Sequence, residues 1–205
     1  MEIIVGTTQF YLEKETAVAI GKFDGVHIGH RRLLEEILAQ KKNGLKSCVF
    51  TFDPPPSVLF GDSDGKELTT REEKREIFER MGIDILIEFP LTLETAAMPP
   101  QNFAREILAK QMNARFIAAG TDLSFGAKGA GNAVLLRKLG PELGFEVKTI
   151  EKVCIQGEEV NSTAIRKLVT EGKMSQAEEY LGAPYTITGT VVHGNQIGRT
   201  LGFPT

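Results

Sequence analysis

The chain has 205 residues, of which 41% are hydrophobic and 25% are charged, as in ordinary globular proteins. Its formal net charge of −3 argues against a general nucleic-acid binder, because such proteins usually carry a basic stripe. The sequence has no run of about 18 apolar residues and begins without the basic and apolar regions of a signal peptide. We therefore expect a cytoplasmic protein with neither a nucleic-acid nor a membrane partner.

Short apolar runs alternate with amphipathic patterns along the chain. The predicted strands cover residues 16–20, 47–52, 83–89, 114–120 and 145–153. The predicted helices cover residues 31–42, 69–82, 100–112, 131–144, 162–172 and 174–182. Strands that alternate with helices predict an α/β fold with a parallel sheet, and the nearly continuous apolar strands indicate that both of its faces are covered.

The character of the sequence changes after Pro184. Residues 185–205 are rich in Thr, Val and Gly and lack a helical period, so they predict the start of a β structure. A segment of this length is too short to form a stable β domain alone. We therefore divide the chain into a domain over residues 1–184 and an incomplete second domain over 185–205.

The two cysteines, Cys48 and Cys154, both lie in apolar runs that resemble strands. No cysteine pair has the spacing of a zinc site. We expect both thiols to be buried and reduced.

The segment GKFDGVHIGH, residues 21–30, directly follows the first strong strand. Parallel α/β sheets bind ligands at the carboxyl ends of their strands. His27 and His30 lie close to the start of the next helix, where unpaired N–H groups favour anions such as phosphate. Gly29 lets the backbone approach a ligand closely. The segment therefore predicts a phosphate site.

Other interpretations of these histidines find less support. A zinc site needs three or four ligands, and the third histidine, His193, lies in the separate β segment. A serine hydrolase of the G-x-S-x-G type is not indicated, because that motif does not occur. Residues 126–132, GAKGAGN, have Asn132 where a Walker A motif has lysine. Two surface histidines on a glycine loop, without a ligand, remain an alternative.

The motif HIGH at residues 27–30 is the H-x-G-H signature shared by nucleotidyltransferases and class I aminoacyl-tRNA synthetases. Three further segments follow it in order: TFDPPPSVLF (51–60), GTDLSFGAKGAGN (120–132) and VNSTAIRKLVTEG (160–172). Together they resemble the FMN adenylyltransferase module of the bacterial bifunctional riboflavin kinase/FAD synthetases. The tail GRTLGFPT (198–205) resembles the opening of that family's kinase barrel. The resemblance implies a Rossmann-like parallel sheet of the H-x-G-H superfamily, followed by the start of a β-barrel.

The chain departs from the family pattern at four positions. Pro55 replaces the histidine of T-F-x-P-H-P, and Lys22 stands where the family often has asparagine. Asn161 replaces the first serine of S-S-T-x-I-R, and Leu123 replaces the first phenylalanine of D-F-x-F-G. The H-x-G-H motif and the Ser-Thr-x-x-Arg core are intact.

The resemblance implies that ATP and FMN react to give FAD and pyrophosphate. His27 and His30 would donate hydrogen bonds to the α-phosphoryl oxygens, and Ser162, Thr163 and Arg166 would hold the β and γ phosphates. Plain helix capping is the alternative role for Ser162 and Thr163.

The remaining implied contacts divide between nucleotide and flavin. The nucleotide side comprises Gly21, Phe23, Asp24, Gly29 and Asp122, and the flavin side comprises Phe52, Asp53, Pro54 and Phe125. A turn-forming role for Asp24 and core packing for Phe52 and Phe125 remain alternatives. Mg²⁺ would bridge phosphate oxygens without a ligand from the adenylyltransferase module, and Thr205 matches the threonine near the kinase magnesium.

The kinase barrel would begin near Tyr185 and continue beyond Thr205. We therefore expect residues 185–205 to be extended, mobile or paired with a neighbouring molecule, and this chain not to phosphorylate riboflavin.

Two alternatives to the flavin adenylyltransferase stay open. One is an adenylyltransferase for another phosphorylated acceptor, such as phosphopantetheine or nicotinate mononucleotide, and the other is a non-catalytic flavin or nucleotide sensor. The pattern makes no prediction about the oligomeric state.

Overall fold

The computed structural model describes residues 1–61, 66–194, 197–200 and 202. Within them, six parallel strands form one sheet: β1 (Glu2–Val5), β2 (Thr16–Ile20), β3 (Lys46–Asp53), β4 (Ile85–Pro90), β5 (Ala114–Gly120) and β6 (Glu146–Ile150). Their order across the sheet is β1-β4-β3-β2-β5-β6. Two short strands, β7 (Cys154–Ile155) and β8 (Glu158–Glu159), form a separate antiparallel hairpin. The predicted α/β fold with a parallel sheet is confirmed.

Six helices among the described residues lie between the strands of the main sheet: α1 (Ile28–Ala39), α2 (Pro56–Leu59), α3 (Arg71–Arg80), α4 (Leu93–Ala96), α5 (Pro100–Asn102) and α6 (Ala133–Leu143). Three more follow the last described strand: α7 (Ser162–Thr170), α8 (Met174–Leu181) and α9 (Ile197–Thr200). A π-helical segment, Phe103–Gln111, continues α5. Short 3-10 turns cover Asp24–Val26, Gln40–Asn43 and Ala127–Gly129.

The predicted elements are present, and most differ from the structure only at their ends. β2 and β5 have the predicted bounds. Helix α1 begins at Ile28, before the predicted start at residue 31, because His27 caps it and Gly29 lies in its first turn. β1 is not among the predicted strands. It is an edge strand in which only Ile4 is partly buried, so its apolar face is too narrow to give a strand signal.

Both faces of the sheet are covered, as the apolar strands predict. Every residue of β2 is buried. Val18 and Ile20 belong to the cluster on one face, which includes the π-helical segment. Ala17 and Ala19 belong to the cluster on the other face, where Leu34 of α1 packs. Small side chains here let α1 approach the sheet, and the start of α1 is thereby fixed above the end of β2.

The strand order locates the crevice in which α/β sheets bind ligands. From β2 the chain continues on one side to β3 and β4, and it later returns to β5 and β6 on the other side. The order therefore reverses between β2 and β5. Ligands of open parallel sheets bind at such a switch point, outside the carboxyl ends of the strands. The segments that begin at Gly21 and Thr121 leave the sheet there.

The tail differs from its prediction. Residues 185–194 form neither helix nor strand, and the large side chains of Ile187, Val191 and Val192 are exposed. The prediction of extended β structure is wrong for α9, which is one helical turn. Within this turn, the Thr200 hydroxyl donates to the Ile197 carbonyl at 2.6 Å, so one backbone acceptor is satisfied locally. Mobility or pairing with a neighbour stays a prediction, and Thr205 lies outside the described residues.

The two cysteines are free, as expected, but they differ in burial. Cys48 is fully buried in β3, and burial raises the pKa of its thiol. The expectation of burial is wrong for Cys154, which is exposed because its hairpin strand is not part of the main sheet.

We expect Cys154 alone to react with a thiol reagent while the chain is folded. Reaction needs an accessible thiolate, and Cys48 offers neither access nor an ordinary pKa. Native labelling with a chromogenic disulfide should therefore count one thiol, and labelling in denaturant should count both. Cys154→Ser should remove the native signal. Rapid native labelling of the Cys154→Ser variant would contradict the placement of Cys48.

Candidate functional site

The paired histidines form the start of α1. His27 is the N-cap residue, and its Nδ1 accepts a hydrogen bond from the backbone N–H of His30 at 3.4 Å. The two rings stack with their centroids 3.7 Å apart. An added Cβ at Gly29 would lie 3.2 Å from the His27 ring, so this glycine makes room for it. Because Nδ1 accepts, the proton of neutral His27 lies on Nε2, where it is a donor.

Both histidines are neutral near pH 7. Burial lowers the pKa of His27 to about 4, against a smaller opposing effect from the Asp122 carboxylate. Burial, together with the neighbouring His27, also lowers the pKa of His30 well below its ordinary value. The Nδ1 atom of His30 is buried and finds no hydrogen-bond partner among the described residues. An unpaired buried polar atom is uncommon and is expected where a ligand completes the site.

We expect the depressed pKa of His27 to make folding sensitive to mild acid. The unfolded histidine binds a proton near pH 6.5 and the folded one near 4, so this contribution is fully present above pH 6.5 and is lost as the pH falls toward 4. Between pH 7 and 4.5 the loss is roughly 2.5 kcal/mol. Urea unfolding at both pH values measures it.

The matched variant is His27→Gln, which cannot titrate. Its free energy of unfolding should fall less between pH 7 and 4.5 than that of the parent chain. Titratable groups away from the histidine pair contribute equally to both proteins, so the difference reports His27 together with its effect on the pKa of His30. Parallel losses in the two proteins would show that His27 does not carry the effect.

The loop between β2 and α1 is tightly held. Phe23, Gly25 and Val26 have φ values of +52°, +77° and +41°. Only glycine adopts such values freely, and a Cβ at Gly25 would also lie 2.8 Å from a methyl carbon of Leu68. The Gly25 N–H donates to Thr69 Oγ1 at 3.1 Å. The segment just before α3 therefore fixes the loop that presents the histidines.

Asp24 ties this loop to two other segments. Its Oδ1 accepts from the Leu68 N–H at 2.7 Å, and its Oδ2 lies 2.5 Å from Arg166 Nη1. Its backbone carbonyl accepts from Ser162 Oγ at 2.9 Å. Asp24 is more than a turn former, since protein donors occupy both carboxylate oxygens. A direct contact of Asp24 with nucleotide stays a prediction.

The residue that caps the start of α7 is neither of the two that the capping alternative named. Asn161 is the N-cap, and its Oδ1 accepts from the Ala164 N–H at 2.8 Å. The Thr163 hydroxyl instead accepts from Arg166 Nη2 at 3.2 Å. Plain capping by Ser162 or Thr163 is therefore wrong. Asparagine directly before a helical pattern is among the strongest N-cap signals, so this role of Asn161 could have been predicted from the sequence.

Asp122 follows β5 and faces the histidines across the switch point. It is exposed, and its charge favours protonation of His27. Lys152 Nζ lies 3.5 Å from Asp122 Oδ2. The structure thus brings Asp122 and the H-x-G-H motif to the same crevice, as predicted from their places after β5 and β2.

The residues predicted for the flavin side divide between the core and a pocket. Phe125 is 3% exposed and packs 5.4 Å from the Phe103 ring. Phe52 is half-buried and lines the pocket. The pocket lies at the ends of β2, β3 and β4, and its lining includes Lys22, Phe52, Asp53, Pro55, Arg71 and Glu88. A cis peptide bond joins Asp53 to Pro54. The predicted flavin contacts stay predictions.

A charged cluster beside this pocket was missed from the sequence. Glu88 in β4 is buried, and its carboxylate accepts hydrogen bonds from Arg71 and Arg75 of α3. Burial alone would raise the pKa of Glu88, but the two guanidinium groups outweigh it and hold the pKa below its ordinary value. Two signals could have found the cluster: an acidic residue in an apolar strand, and arginines four positions apart on one helix face.

In the part of the chain that the structure describes, no group of three or more His, Cys, Asp or Glu side chains is arranged to hold a metal. No helix among these same residues is long and apolar enough to cross a membrane. Mg²⁺ carried mainly by phosphate oxygens does not require such a group of side chains.

Comparisons with known proteins match this arrangement. A family model described as FAD synthetase matches residues 10–164, and one described as riboflavin kinase matches residues 181–205. The chain is 38% identical over 190 residues to the bifunctional riboflavin kinase/FMN adenylyltransferase of Escherichia coli K12, covering 92% of this chain and 61% of that protein. The enzyme of that name from Listeria monocytogenes is 38% identical over 204 residues, covering 97% and 64%. The chain thus spans less than two thirds of the length of each of these two relatives.

A solved structure gives the same fold. It is a crystal structure from Streptococcus pneumoniae that carries the name macrolide-efflux protein. It superposes with a TM-score of 0.84 at 28% sequence identity and covers 98% of this chain and 66% of that one. The superposition supports the strand order and the position of the crevice.

Proposed function

Because the chain belongs to the FAD synthetase family, we propose that it transfers the AMP moiety of ATP to FMN, forming FAD and releasing pyrophosphate. One observation carries the proposal: the neutral histidine pair is stacked at the N-terminus of α1, beside the switch point of the sheet. A binding module that only senses flavin would not need two imidazole donors at a phosphate-binding helix end.

The chemistry needs no strong base. A phosphate oxygen of FMN is already an anionic nucleophile and attacks the α-phosphorus of ATP. The new P–O bond forms as the bond between the α-phosphorus and the bridging oxygen breaks, and pyrophosphate leaves with the electron pair. The protein's contribution is orientation of the reactants and stabilisation of the developing charge.

His27 and His30 supply hydrogen bonds to the α-phosphoryl oxygens, where negative charge grows. Neutral donors keep their protons through the reaction, which suits charge stabilisation rather than proton transfer. The helix N-terminus adds backbone N–H groups to the same site.

Arg166 is held in place for the leaving phosphates. Asp24 and Thr163 engage its Nη1 and Nη2 atoms. A guanidinium carries five N–H donors, so others remain for the β and γ phosphates. Mg²⁺ bound to ATP would neutralise further charge there.

Residues 1–184 form the adenylyltransferase domain in this proposal, and residues 185–205 begin a riboflavin kinase barrel that is completed in a longer protein. That longer protein would also convert riboflavin to FMN. A cytoplasmic location, where ATP and FMN are supplied, belongs to the same proposal.

The experiment offers several acceptors to the chain with ATP and Mg²⁺ and separates the products by chromatography. FMN should give FAD and pyrophosphate, whereas phosphopantetheine and nicotinate mononucleotide should give no adenylylated product. With riboflavin in place of FMN, and ATP and Mg²⁺ still present, the chain should form no FMN. Failure to form FAD would reject the proposed transferase, and FMN formed from riboflavin would reject the division of the two activities.

A further inference from the structure

Arg71 joins two carboxylates that belong to neighbouring strands. Its Nε donates to Glu88 Oε2 at 2.8 Å, and its Nη2 lies 2.9 Å from Asp53 Oδ2. Glu88 belongs to β4, and Asp53 is the last residue of β3. The guanidinium therefore joins the Asp53 side chain, at the end of β3, to the Glu88 side chain in β4, in addition to the backbone pairing of Asp53 with Pro90.

Neutralising Glu88 does not by itself require this bridge. Arg75 already donates to both Glu88 oxygens, from Nε at 2.9 Å and from Nη2 at 2.6 Å. The Glu88 side chain is 5% exposed, so the paired arginines give it a fixed position. Glu88 in turn holds Arg71 through both Nε and Nη2, and the same Nη2 also reaches Asp53. This second carboxylate contact is the part of the Arg71 arrangement that charge balance at Glu88 does not explain.

Asp53 is the residue at which β3 turns away from the sheet. Its backbone carbonyl accepts from the Leu91 N–H at 3.0 Å, and Pro54 and Pro55 follow it toward α2. Phe52 and Pro55, on either side of this turn, line the pocket. A flat aromatic ligand requires its walls to be placed within about half an ångström. The position of Asp53 therefore sets the shape of the pocket.

We propose that Arg71 is a positioning residue for the acceptor, which shapes the flavin-facing pocket by holding Asp53 against the Glu88 cluster. This inference rests on the proposed function. Arg71 acts through Asp53 and contributes little to the ATP side, where the histidines and Arg166 lie.

The test compares Arg71→Gln, Asp53→Asn and the double variant by steady-state kinetics with FMN and ATP varied separately. Each single variant should raise the KM for FMN about tenfold and leave the KM for ATP within about twofold. The double variant should be no worse than the worse single variant, because both remove one interaction. Arg71→Lys should not restore the KM, since a lysine lacks the planar fork that reaches two carboxylates.

Arg80→Gln is the matched control, because Arg80 lies on α3 and pairs only with the exposed Glu76 among the described residues. It should leave both KM values unchanged. Thermal unfolding of every variant checks the fold. If Arg71→Gln proves unstable, Asp53→Asn still tests the inference, because it leaves the buried Glu88 and its two arginines unchanged. FMN fluorescence quenching gives the affinity without turnover.

Additive effects of the two substitutions would overturn the inference, because Arg71 would then act on FMN independently of Asp53. Equal changes in the two KM values would also overturn it, as would an unchanged affinity for FMN. If the parent chain forms FAD and Arg71→Gln behaves like it, this inference alone fails. If the parent chain neither binds FMN nor forms FAD, the proposed function fails and this inference fails with it.

Discussion

His30→Ala is expected to lower the rate of FAD formation by about 10²–10³-fold, the usual cost of losing one donor aimed at developing charge. Binding of ATP should change little, since the donor contributes most in the transition state. The ring of His30 stacks on His27 and packs 5.1 Å from Phe23, so it is positioned before the ligand arrives. Single-turnover kinetics with saturating ATP and FMN measure the effect on the chemical step.

His193→Ala is the matched control, because this histidine is exposed in the tail. It should leave the rate unchanged. A His30→Ala protein with full activity would reject the phosphate-site interpretation of the H-x-G-H motif. If the His30→Ala variant is slow only because it no longer binds ATP, then His30 acts in ground-state binding of ATP and not in the transition state.

Asp24→Asn is expected to reduce both stability and activity. The asparagine Oδ1 still accepts from the Leu68 N–H, but its Nδ2 then faces the Arg166 guanidinium, and two donors oppose each other. Since the Arg166 side chain is 36% exposed, water screens the lost charge, and we expect a cost of about 2 kcal/mol. The rate should fall at least about tenfold, because Arg166 loses its orientation.

Chemical denaturation and turnover assays of the same preparation test both halves. Glu76→Gln, which breaks an exposed pair on α3, should alter neither property measurably. An Asp24→Asn protein with the parent's stability and rate would show that the Asp24–Arg166 pair has no organising role.

The central sheet and the histidine site could be predicted because their signals are local. β2 and β5 are short and mostly apolar, with Gly21 directly after β2 and Gly120 as the last residue of β5, and H-x-G-H follows β2 within a few residues. Topology then places Asp122 opposite His27, since both segments leave the sheet at the switch point.

What sequence analysis missed depends on contacts between distant parts of the chain. The Asp24 carboxylate is held by Leu68 and Arg166, 44 and 142 positions away. The Glu88 cluster likewise joins two strands and a helix. The spacing of Arg71 and Arg75 can indicate a charged cluster, but no pattern in the sequence says which distant residues pair in it. Core packing of Phe125 depends on Gly131, where a Cβ would lie 2.6 Å from the ring, and that closeness also appears only in three dimensions.

The most direct test of adenylyl transfer follows the phosphorus atoms of ATP. The chain is incubated with FMN, Mg²⁺ and ATP that carries a radioactive label on either the α or the γ phosphate. The α label should appear in FAD, and the γ label should appear in pyrophosphate and not in flavin. Flavin that carries the γ label, or α label that stays outside flavin, would contradict attack of FMN on the α-phosphorus.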